Sequence, residues 1–109
     1  MKMTDIPFEV EGWQDVPETE HAGETGKALW RTRQFGDIRV RMVTYTPGYL
    51  ADHWCEKGHI LLVLEGELGT ELADGSTVTL QPGMSYQVAD GAMAHRSTTR
   101  TGCRLFIVD

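Results

Sequence analysis

The sequence predicts an all-β domain, a small barrel or sandwich, on three observations. Short β-prone runs recur along the chain, glycine or proline cuts them at turn spacing, and almost no stretch carries helical periodicity. The 109 residues, 40% of them hydrophobic, suit one domain with a single core.

Residues 1–26 are polar and rich in turn formers (Pro7, Gly12, Pro17, Gly23, Gly26), and read as an arm wrapping a barrel domain of residues 27–109. His21, in this arm, reads as solvated. Ala28 to Thr32 and Ile38 to Tyr45 read as strands joined by a turn at Gly36-Asp37, the second broken at Pro47-Gly48. That second strand alternates charged with apolar residues, so Arg39 and Arg41 are expected on an exposed face. From His59 to Leu72 a long run is interrupted by Glu65-Gly66, which predicts a strand, a bend and a continuing strand. Glu65 and Glu67 at that bend read as a solvated hairpin. Asp74-Gly75 is a hairpin turn signal. Thr77 to Leu80, Ser85 to Val88 and Arg104 to Val108 supply the remaining strands, separated by Gln81-Pro82-Gly83 and by Ala89 to Ala92.

Charge and cysteine content narrow the function classes. Ten basic against sixteen acidic side chains give a formal −6, which disfavours nucleic acid and anionic membrane as partners and favours a small molecule or a protein. The first residues hold no apolar run resembling a signal peptide, and the longest apolar run, Ile60 to Leu64, is too short to span a bilayer. A cytoplasmic protein is expected, with both cysteines as thiols and Cys103 packed in the core.

The chemistry concentrates in one cluster. Three of the four histidines and one of the two cysteines fall at His53, Cys55, His59 and His95. Positions 53, 55 and 59 share a parity, and Glu56-Lys57-Gly58 reads as a tight turn. His53 and Cys55 would then end one strand, His59 would begin the next, and all three would face one cavity. Imidazole and thiolate are good donors for a divalent transition metal such as zinc, nickel or iron, and His95 is the remaining candidate ligand. Tyr86, in the strand leading toward His95, is the better pocket candidate among the aromatics Trp30, Tyr45, Trp54 and Tyr86. Arg96, beside His95, offers a partner for a substrate carboxylate, with plain surface solvation as its rival reading.

These residues resemble the cupin superfamily, specifically its small single-domain members with an Asp-His-x-Cys signature, here Asp52-His53-Trp54-Cys55. The first cupin motif is matched in register by His53, Cys55, His59 and Gly66, with Cys55 in place of the usual second histidine and His59 in place of the usual glutamate. Its leading glycine, Gly48, lies one residue closer to His53 than in the common pattern. The second motif is matched by Gly83, Ala89, Gly91 and His95, with alanine for the proline and one extra residue before the histidine. The resemblance covers about residues 36–109 and implies a jelly-roll β-barrel, a metal held among these side chains, and dimers formed through sheets or by exchange of the arm. It implies either a metal-dependent enzyme on a small molecule, of dioxygenase or isomerase type, or a non-enzymatic metal or small-ligand sensor. Three histidines with Cys55 free would resemble the iron centres of thiol dioxygenases. Four ligands would saturate a tetrahedral zinc and leave two positions on an octahedral metal.

Overall fold

The computed structural model describes residues 2–109. A single 3₁₀ turn, Trp13–Asp15, precedes nine strands: β1 (Glu18–Ala22), β2 (Lys27–Phe35), β3 (Ile38–Tyr45), β4 (His59–Gly66), β5 (Leu68–Leu72), β6 (Thr77–Leu80), β7 (Ser85–Val88), β8 (His95–Thr98) and β9 (Cys103–Val108). They form a six-stranded sheet in the order β1-β2-β3-β9-β4-β7 and a three-stranded sheet in the order β6-β5-β8. Every paired neighbour is antiparallel.

Strand β9 shows how the sequence builds this arrangement. Cys103, Leu105 and Ile107 are buried while Arg104 is exposed, so one face of the strand enters the core. There Leu105 meets Val43 of β3 and Val63 of β4 across the ladder, and these with Leu61, Leu68 and Ile107 fill the space between the sheets. Each such side chain stabilises the fold by about 1.5–3 kcal/mol through burial.

The Glu65-Gly66 bend lies at the end of β4, after a register shift between Val63 and Glu65. There the chain leaves the six-stranded sheet and enters the other as β5. Gly66 takes φ +75, and a side chain there would collide with the carbonyl oxygen of Gly102. At the next turn, the Asp74 carboxylate accepts bonds from Ser76 N (2.9 Å) and Ser76 Oγ (2.6 Å).

Three features differ from the sequence expectation. The segment read as an arm contributes β1, whose polar residues Glu18 to His21 are held as an edge strand by pairing with β2. Strand β8 carries no apolar run and exists because β5 and the Cys55 backbone pair with it. Residues 46–58 form only isolated bridges at Leu50 and Cys55, so the strand expected to end at His53 and Cys55 is absent and its parity does not apply. Elsewhere in the N-terminal segment, Trp13 packs edge-on to Phe106, and Glu9 and Glu11 pair with Arg33.

Candidate metal centre

Two strand starts and one backbone bridge meet at the same end of the barrel. His59 opens β4 and His95 opens β8, while Cys55 and His95 exchange backbone hydrogen bonds of 2.8 and 3.0 Å. Gly58 makes the approach of β4 possible: a side chain there would come within 2.6 Å of Asp90 N and 2.7 Å of the Val88 oxygen. Its own N–H donates to Asp90 Oδ1 at 2.6 Å. As a result, the donor atoms of Cys55, His59 and His95 lie within 4.8 Å of one another.

Proton placement tests whether these groups suit a metal. His95 Nδ1 lies 2.8 Å from the Met93 carbonyl, which can only accept, so Nδ1 carries the proton and Nε2 presents a lone pair. That Nε2 lies 3.0 Å from His59 Nε2. If His59 protonates its Nε2 to bridge the gap, its Nδ1 lone pair is left facing the Asp109 carboxylate, 3.7 Å away, and this buried Nδ1 has no hydrogen-bond partner. A cation held by His59 and His95 would remove the conflict, because His59 would then keep its proton on Nδ1, toward Asp109. The group can hold a metal ion. Tyr86 adds a hydroxyl 3.0 Å from His59 Nε2, and burial pushes its pKa up, so the phenol keeps its proton.

Behind His59 stands a buried ion cluster. The Asp109 side chain is 0% exposed and bonds Arg39 Nε (2.9 Å), Arg39 Nη2 (3.1 Å) and Arg41 Nη2 (3.0 Å). Burial alone would push the Asp109 carboxyl up, but His59, Arg39 and Arg41 together hold it well below the usual carboxylate range. The expectation of an exposed face is therefore corrected for Arg41, while Arg39 stays 31% exposed. Arg41 shares the buried row of β3 with Val43 and Tyr45, and burial pushes its pKa down. The phase of the alternation held the signal: both arginines keep step with Val43 and Tyr45. Nothing in the sequence marked Asp109.

The other predicted site residues lie apart from the cluster. His53 has a side chain 75% exposed, with Nδ1 2.6 Å from Asp52 Oδ1, and is not among the converging donors. Trp54 is exposed, with the Arg96 guanidinium 5.0 Å from its ring. Arg96 spends its Nε and Nη2 on Glu71 Oε2, at 3.1 and 2.7 Å. His21 is not simply solvated but stacks on Trp30 at 3.8 Å. A cleft of about 830 Å³, bordered by Ile38, Lys57, Gln87 and Asp90, reaches His59 and Asp109.

The architecture recurs in solved structures. An RmlC-like cupin from Shewanella frigidimarina superposes with a TM-score of 0.77 over 96% of this chain and 92% of that one, at 16% identity. The chain has a cupin fold. A predicted oxalate decarboxylase from Thermotoga maritima gives a TM-score of 0.76 over 92% of this chain and 96% of its own, at 14% identity. An Fe(II) form of HppE with an alternative substrate gives 0.75 over 94% of this chain and 60% of that one, also at 14% identity. No family model and no curated protein matches the sequence.

Proposed function

We propose that this cupin is a metal-dependent enzyme acting on a small molecule, with one divalent transition metal held by Cys55, His59 and His95. The observation that carries the reading is the count of converging donors: three protein ligands leave coordination positions open, as catalytic sites require, whereas four would close a tetrahedral ion. When bound, the ion supplies Lewis acidity or, as iron, redox chemistry of the dioxygenase type. The chain's own groups do the rest. Met93 fixes the His95 tautomer, Asp109 orients His59, and the protonated Tyr86 offers a hydrogen bond to whatever ligand enters. The solved cupins named as an Fe(II) enzyme and as a predicted decarboxylase support small-molecule chemistry on this scaffold. The saturated, non-enzymatic alternative needs His53 as a fourth donor, and that side chain points to solvent.

Elemental analysis of untagged protein, joined to X-ray absorption at the edge of the metal found, tests the proposal. One equivalent of zinc, nickel or iron with one sulfur, two imidazole nitrogens and exchangeable light-atom ligands is expected. No stoichiometric metal, or three imidazoles with one sulfur and no exchangeable ligand, overturns it.

We further infer a cytoplasmic homodimer. Glu9 and Glu11 of the N-terminal segment turn toward their own Arg33, which leaves the alternate residues Phe8 and Val10 94% and 83% exposed. Ile60 and Leu64 on β4 are exposed as well, and an identical surface is the simplest cover for such apolar rows. Both cysteines are free thiols, the form a reducing compartment maintains. Among the described residues no helix is long and apolar enough to cross a membrane.

A further inference from the structure

The barrel interior carries an excess of positive charge beside the metal donors. Arg41 has a side chain 8% exposed, and its only ion-pair partner among the described residues is Asp109. That carboxylate is shared, because both of its oxygens also bond Arg39. Two guanidinium groups thus share one side-chain carboxylate, in a chain whose overall balance is −6. Arg39 is 31% exposed, whereas Arg41 keeps only 8% of its side chain open.

Arg41 is also short of acceptors. Its Nε–H is buried without a hydrogen-bond partner. The Trp30 ring, 4.4 Å from the guanidinium carbon, stabilises the charge from one face yet takes no in-plane hydrogen bond. The buried phenols of Tyr45 and Tyr86 keep their protons and add donors to the same interior. A buried charged donor left unpaired costs free energy that an anion removes. The position is close to the metal donors, since Asp109 Oδ2 lies 3.0 Å from Arg41 Nη2 and 3.7 Å from His59 Nδ1.

We propose that the site takes a small monocarboxylate, whose carboxylate accepts from Arg41 while the rest of the molecule faces Cys55, His59 and His95. The second half rests on the metal-site reading; the first stands on Arg41 alone. The test is a titration of the full chain with propionate, propionamide and inorganic phosphate, made first on metal-free protein and again after zinc is added. The readout is the Arg41 Nε–H resonance in ¹H–¹⁵N spectra, assigned on the wild-type chain through its own side-chain carbons.

Propionate is expected to shift this resonance saturably in metal-free protein, with propionamide weaker by about tenfold or more, the equivalent of one charged hydrogen bond. Arg41→Lys, which keeps the charge but loses the Nε–H, is expected to lose the preference for propionate. Where that variant does not fold, the wild-type titration decides. A shift with propionate but no uptake of zinc supports the carboxylate site and removes the metal reading. Propionate binding to zinc without moving Arg41, a response to phosphate but not propionate, or no response to either anion overturns the carboxylate site.

Discussion

One hydrogen bond at His95 holds the proton on Nδ1 and turns the Nε2 lone pair to the cluster, and the Asp109 carboxylate, 3.7 Å from His59 Nδ1, favours a proton on that nitrogen. Asp109→Asn is therefore expected to weaken zinc binding by about 10- to 100-fold, measured by competition with a chromophoric chelator, while His53→Ala leaves affinity unchanged. Asp109 also has a pH signature. Its folded pKa lies below the ordinary 3.8, so its stabilising contribution is present above that value and is lost as pH falls through the folded pKa. Urea unfolding should show the gap in stability between wild type and Asp109→Asn constant near neutrality and shrinking below about pH 4. The two thiols should separate as clearly. Cys103 is buried, and burial pushes its pKa up to about 11 against the bond to Thr99, whereas Cys55 is partly exposed. A thiol reagent at pH 8 is expected to titrate one cysteine per folded chain, and bound metal to slow that reaction.

At the scale of elements, glycine governs where the chain changes sheet. Gly66→Ala is expected to destabilise the fold by roughly 2 kcal/mol or more in chemical unfolding, because it adds a left-handed backbone penalty to a collision with Gly102. The strands around this bend were legible because β3, β4 and β9 alternate or run apolar between turn residues. Strands β1 and β8 were not, since Glu18 to His21 and His95 to Thr98 are polar and owe their conformation to partners distant in sequence. The same cause misplaced His53. Its neighbour Cys55 is tied to His95 by a single bridge, not by a continuous strand, so side-chain alternation breaks off between positions 53 and 55.

For the whole molecule, the exposed alternate residues of the N-terminal segment predict self-association. Light scattering at micromolar concentration is expected to give twice the monomer mass, and Phe8→Glu with Val10→Glu to return it to the monomer with an unchanged circular dichroism spectrum. A monomeric wild type would refute the dimer. The sequence alone established an all-β chain, its main turns and a set of residue types that can hold a metal, because turn chemistry, strand period and donor identity are local properties. Which donors converge was decided by tertiary structure. Cys55, His59 and His95 meet because a bridge and two strand starts reach one end of the barrel, while His53, two residues from Cys55, faces solvent. The buried Arg39–Asp109–Arg41 cluster behind them was likewise settled only by sheet closure, which brings the end of β9 beside β3 and turns an apparently exposed charged row inward.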